Sequence, residues 1–179
     1  YDLQELNCVN TQLASLDVTN NPLLWELKCG QNHLTELTVV FNSELSTLDF
    51  SSNQILGINL SNNPALSTLN CSYNNLTSLD LRNMPDWGLV STVGNPDLKC
   101  IYVLDKDAWY LNAWSIDSWS TYVETEEECD SLISVEETPS QMVGFYPNPF
   151  TSVLIIGNLG RAYTSLEIFD SNGKKCVEF

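Results

Sequence analysis

The chain has 179 residues, with 23 acidic against 7 basic, a formal net charge of −16 and a pI near 4.1. A surface this anionic repels a phosphate backbone, so no nucleic-acid partner is expected. Hydrophobic residues make up 43% of the chain, enough to bury a core. No apolar run reaches the roughly 18 residues that cross a bilayer, so no membrane-spanning segment is expected. No basic-then-apolar leader precedes Tyr1 and the chain opens inside a repeat, so it reads as a mature fragment.

Charge is distributed in steps. Residues 1–104 carry ten acids and three bases, 105–140 ten and one, and 141–179 three and three. The steps mark segment boundaries.

From the N-terminus the pattern L-x-x-L-x-(L/C/V) starts at Leu3, Leu13, Leu24, Leu34, Leu45, Ile55, Leu66, Leu76, Trp87 and Leu98, at spacings of ten and eleven. Two half-units make a coil of 21 residues. Each Leu-x-(Cys, Val or Leu) alternation turns two side chains inward and one outward, as a strand requires. Next comes Asn21, Asn32, Asn42, Asn53, Asn63, Asn74 or Asn95, whose amide can satisfy the unpaired backbone of a turn. Thr11 and Met84 break that ladder. One coil cannot bury its own apolar face, so the coils must stack and the ends must be covered.

Residues 3 to 104 thus resemble the short bacterial leucine-rich repeat, L-x-x-L-x-C-x-x-N-x-L followed by x-x-L-D-L-S-N-N-P-x-L. The resemblance implies a mainly β, right-handed leucine-rich-repeat solenoid of about five coils over residues 1–104. Leu98, Ile101 and Val103 complete the last half-unit, and the periodicity then stops in an aromatic stretch, Asp105 to Trp119. Residues 105–132 look like the C-terminal cap of such repeats, which begins N-P-x-L-x-C and closes at a second cysteine. Here those are Asn95-Pro-Asp-Leu-Lys-Cys100 and Cys129, so a Cys100–Cys129 disulfide is implied, in keeping with export. Trp109, Trp114 and Trp119 are read as cap residues, with a sugar-stacking platform as the rival reading.

Residues 133–143 are polar and acidic and contain Pro139, so they read as a linker. Next come Tyr146-Pro-Asn-Pro149, strands at Ser152 to Ile156 and Ser165 to Phe169, and a hairpin at Ser171-Asn-Gly-Lys174. Together with Ile168-Phe-Asp170 these resemble the opening part of the C-terminal sorting domain of type IX secretion. That implies a truncated β-sandwich-like domain over 144–179, and recognition by the type IX secretion machinery through the complete domain.

The six cysteines fall into groups. Cys8, Cys29 and Cys71 share one inward phase. Coils stack about 4.8 Å apart, and parallel Cβ atoms at that distance exceed the roughly 3.5–4.5 Å that a disulfide needs. They are therefore expected to be buried free thiols. Cys176 remains over, as a strand residue.

Catalytic and metal chemistry find little footing. The chain's single histidine, His33, falls on an exposed turn, and no zinc-ligand spacing is present. Glu5 and Glu26 stack as neighbours, but a repeat imposes such pairs, and Asp105, Asp107 and the run Glu124 to Glu128 lack the spacing of a calcium loop. No catalytic residue, metal or cofactor is assigned, and the protein is read as a non-enzyme.

Recognition falls to the outward rows. Asn7, Lys28, Asp49, Asn70 and Ser91 form one; Glu5, Glu26, Thr47, Thr68 and Leu89 a second; Asn10, Gln31, Ser52, Tyr73 and Gly94 a third. The candidate ligand-binding residues are Glu26, Lys28, Asp49, Asn70 and Tyr73, with Tyr73 as the aromatic anchor and Asp49 flanking Lys28. Asp17, Thr38, Asn59 and Asp80 form a comparable row on the other half-units, where Val40 and Phe41 add an apolar spot. The expectation is a secreted or surface-held protein of a Gram-negative bacterium, binding an extracellular protein or glycan for adhesion. The alternative is an accessory or spacer segment of a larger secreted enzyme.

Overall fold

The computed structural model describes residues 2–135, 167–169 and 175–178. The chain divides into two units, Tyr1–Thr138 and Pro139–Phe179. The first contains strands β1 (Glu5–Asn7), β2 (Glu26–Lys28), β3 (Thr47–Asp49), β4 (Thr68–Asn70), β5 (Ser78–Asp80), β6 (Leu89–Ser91), β7 (Cys100–Tyr102) and β8 (Thr121–Val123), then helix α1 (Glu126–Val135).

Strands β1, β2, β3, β4 and β6 form one parallel sheet in unbroken register. Glu5 pairs with Glu26, Glu26 with Thr47, Thr47 with Thr68 and Thr68 with Leu89, each step 21 residues along the chain. Each strand is three residues long, so only its central side chain points inward: Leu27, Leu48, Leu69 and Val90 are buried. The other inward columns, Leu24–Leu45–Leu66 and Leu34–Ile55–Leu76–Leu98, are fully buried beside them. The product is the expected mainly β leucine-rich-repeat solenoid.

It has about six turns rather than about five. The extra turn comes from the cap. Ser115 bridges Ser91 in parallel, and β8 continues the sheet β5-β7-β8 with Cys100 opposite Thr121. Asp117 fastens this coil to the turn beneath it, its Oδ2 accepting the N–H groups of Gly94 (2.8 Å) and Asn95 (3.1 Å). Aromatic residues in place of leucines hide this coil from a search for the repeat pattern.

The cap works through its indoles. Trp114 is buried and donates Nε1–H to the Gly88 carbonyl (2.9 Å), while Trp119 donates to that of Asn95 (3.0 Å). Both satisfy carbonyls that a further coil would otherwise meet. The acidic run is a helix start: Thr125 Oγ1 accepts the Glu128 N–H (3.3 Å) and Glu128 Oε2 accepts that of Glu124 (2.8 Å), close to a capping box. Lys106 pairs with Glu128, and the implied Cys100–Cys129 disulfide is formed. Helix α1 runs to Val135, into the stretch read as linker.

One inward position departs from the repeat. Trp87 aligns with Leu66 and Leu45 but is 72% exposed. In regular coils the Leu N–H bonds the carbonyl of the ladder Asn, as in Leu66 to Asn63 (3.1 Å). In the fifth coil Met84 and Pro85 move that bond one residue on, to Gly88 N–H and Pro85 O (2.9 Å), and Trp87 rotates out.

In the second unit, β9 (Glu167–Phe169) and β10 (Lys175–Glu178) pair antiparallel, with Phe169 opposite Lys175. Cys176 lies in β10. The Tyr146 to Pro149 motif and the expected strand at Ser152 to Ile156 lie outside the described residues.

Candidate recognition surface

The sheet brings four of the five candidate residues together. Glu26 and Lys28 flank Leu27 on β2, Asp49 is Lys28's register partner on β3, and Asn70 is Asp49's on β4. Tyr73 lies three residues past Asn70, in the turn, and is 63% exposed.

Two corrections follow from the side chains. Lys28 Nζ meets Glu26 Oε1 on its own strand at 2.9 Å rather than pairing with Asp49. Asp49 is engaged elsewhere, its Oδ1 accepting the Ser51 N–H at 2.9 Å. Asn7 and Asn70 do the same with Val9 and Ser72. These are Asx turns, so the row Asn7, Asp49, Asn70 is shaped partly by the need to bend the chain after each strand.

The row containing Tyr73 has a backbone duty as well. Asn10, Gln31, Ser52, Tyr73 and Gly94 all adopt positive φ, from 54° to 83°. At Gln31, Ser52, Tyr73 and Gly94 this left-handed residue reverses the chain so that the next one, the ladder Asn, turns inward. For a side chain other than Gly it costs on the order of 1 kcal/mol. Tyr73 meets that cost with support from below: a Cβ on Gly94 would sit 2.5 Å from its Cδ1, so the ring lies directly on the glycine backbone. The result is an exposed aromatic ring held on a fixed platform.

The other flank differs in construction. Residues 15–17, 36–38 and 57–59 form no strands. Between them lie two shallow grooves of about 310 Å³ each, one lined by Asp17, Thr19 and Glu36, the other by Val40, Gly57 and Asn59. Phe41, 58% exposed, lies beside the second in sequence. The row Asp17, Thr38, Asn59 therefore borders open grooves rather than a paired sheet.

The cysteine column reads Cys8, Cys29, Phe50, Cys71, Thr92. Cys8, Cys29 and Cys71 are free thiols. Burial pushes Cys29 and Cys71 up to about 12, which removes thiolate reactivity at neutral pH. Cys8 is only partly buried, against the expectation of full burial, because among the described residues no coil covers its far side. A thiol reagent should modify Cys8 in the native protein and reach Cys29 and Cys71 only after denaturation. Rapid native labelling of Cys71 would contradict the packing.

His33 is exposed on its turn. Among the described residues no group of three His, Cys, Asp or Glu side chains is placed to hold a metal, and no helix is long and apolar enough to cross a membrane.

No protein-family model matches the chain, and no curated protein does. Among solved structures it is similar to the functional domain of InlJ from Listeria monocytogenes, a domain that includes a cysteine ladder. The identity is 30% and the TM-score 0.51, over 69% of this chain and 26% of that one. The chain thus spans about a quarter of the chain it resembles. The shared architecture is a leucine-rich-repeat solenoid, and Cys8, Cys29 and Cys71 form an interrupted cysteine column here, with Phe50 as its missing rung.

Proposed function

We propose that the solenoid is a non-catalytic recognition module, exported or held at a cell surface, that binds an extracellular protein or glycan through the sheet face bearing Glu26, Lys28, Asp49, Asn70 and Tyr73. The observation that carries this reading is a contrast between columns. The inward columns Leu27–Leu48–Leu69–Val90 and Leu34–Ile55–Leu76–Leu98 stay aliphatic from coil to coil, whereas the outward row runs Lys28, Asp49, Asn70, Ser91 on strands in perfect register. A rigid scaffold with varied outer side chains is built for selective contact. Tyr73, seated on Gly94, supplies an anchor that loses little freedom on binding.

The resemblance to the functional domain of InlJ supports a binding role for the repeats. In the same reading the chain belongs with the 21-residue bacterial repeats, divides at 1–104, 105–132, 133–143 and 144–179, and carries at its C-terminus part of a type IX sorting domain addressing it to the outer surface of a Gram-negative cell.

Panels of glycans and extracellular-matrix proteins, probed with the purified chain, test the proposal. Tyr73→Ala should weaken any ligand found by about ten-fold or more, and Lys28→Ala by less, since Lys28 is exposed and already paired. A ligand whose affinity neither change alters would show that the wrong face has been chosen.

A further inference from the structure

Large exposed apolar side chains gather at the seam between the fifth coil and the cap. Trp87 is 72% exposed, Leu89 on the outer side of β6 is 58% exposed, and Trp109 is 78% exposed. Contacts run from the backbone beside Trp87 to Trp109. The Trp114 Nε1–H donates to the carbonyl of Gly88, next to Trp87, and the Trp114 ring lies 5.8 Å from that of Tyr110, itself 6.2 Å from Trp109. Leu111 and Trp114 already close this end of the core, so neither Trp87 nor Trp109 is needed there.

The surroundings are acidic. Asp86 precedes Trp87, and Asp105 and Asp107 lie in the turn that enters the cap. Asp86 and Asp105 both bear on Tyr110, whose hydroxyl is raised chiefly by burial and then by these two charges. The cation in that turn, Lys106, is held by Glu128. Exposed indoles in a negative field attract Lys and Arg side chains through both the ring faces and the carboxylates. A neutral sugar would use the rings but gain nothing from the field, and an anionic ligand would be repelled.

We propose that this seam docks a basic segment of a protein partner, its Lys or Arg side chains lying over Trp87 and Trp109 and facing Asp86, Asp105 and Asp107. The residues differ from those of the sheet face, so each proposal can fail alone.

The probe is a fluorescent peptide of alternating arginine and glycine, with a citrulline–glycine peptide as its uncharged counterpart. Trp87→Ala and Trp109→Ala should each weaken arginine-peptide binding about three- to five-fold. Trp87→Phe should restore most of it. Asp86→Asn should weaken binding about two-fold or more, whereas Glu36→Gln, an equal charge change elsewhere, should shift it less than Asp86→Asn does, as should Tyr73→Ala. The citrulline peptide should not bind at the same concentrations.

The proposal is overturned if Glu36→Gln weakens binding as much as the Trp variants, since attraction would then follow net charge alone. It is also overturned if the arginine peptide does not bind, or if the citrulline peptide or a neutral oligosaccharide such as cellohexaose binds at Trp87 as well. Because Trp87 and Trp109 are exposed, unchanged circular dichroism should accompany both variants.

Discussion

Asn74→Ala should destabilise the solenoid by about 3–5 kcal/mol, the largest loss expected from a single polar residue. Asn74 is 3% exposed and ties three backbone segments together. Its Oδ1 accepts the Ile55 N–H (3.0 Å), and its Nδ2 faces the carbonyls of Phe50 (3.0 Å), Cys71 (3.2 Å) and Ser72 (3.4 Å). Alanine leaves these groups buried without partners, at about 1–3 kcal/mol for each. Asn32, Asn53 and Asn95 make the same kind of bonds one coil apart.

Urea denaturation followed by circular dichroism measures the effect. The midpoint should fall with the slope unchanged. Asn62→Ala, which removes an exposed bond to the Val40 carbonyl (2.8 Å), should cost less than about 1 kcal/mol. Equal effects at both sites would show that the ladder does not hold the coils together. Asn74→Asp should be no milder, since a carboxylate cannot donate to the carbonyls.

The second large effect is at the cap. Replacing Cys100 and Cys129 by serine removes a link across 29 residues, and the chain-entropy model assigns such a link about 3–4 kcal/mol. Both cysteines are buried against Val123, so two polar hydroxyls would add to the loss. The damage should begin locally. Hydrogen exchange should rise first at Thr121–Val123 and Glu126–Val135, then at Leu98, Ile101 and Val103 beneath them. A reducing agent should give the same order in the unmodified protein. Unaltered exchange across residues 121–135 after reduction would show that the cap holds without its disulfide.

How much of this was legible beforehand depends on what repeats. A solenoid contacts itself at one fixed offset, so a period of 21 residues puts Leu27 beside Leu48 and Asn53 beside Asn74 without further information. The inward columns, the Asn ladder and the outward rows could therefore be read directly from the chain. Cys100–Cys129 was implied by the cap pattern and is formed.

What could not be read is where the repeat is broken or a side chain chooses between partners. The sixth coil keeps only Leu111 of the repeat's leucines, and Trp114, Asp117 and β8 do the rest of the stacking. The break of the Asn ladder at Met84 was visible, but not that the turn would move one residue and turn Trp87 outward. Lys28 had a carboxylate on its own strand and another on the next, Glu26 and Asp49; it pairs with Glu26, while Asp49 Oδ1 accepts the Ser51 N–H.

The sequence by itself determined a stacked array of 21-residue coils, with its core columns and its varied outer face, because period and side-chain alternation are local properties of the chain. Only the tertiary structure decided which outer residues are offered for contact. That depends on turns and neighbours one coil away: Gly94 beneath Tyr73, Pro85 behind Trp87 and Glu26 beside Lys28.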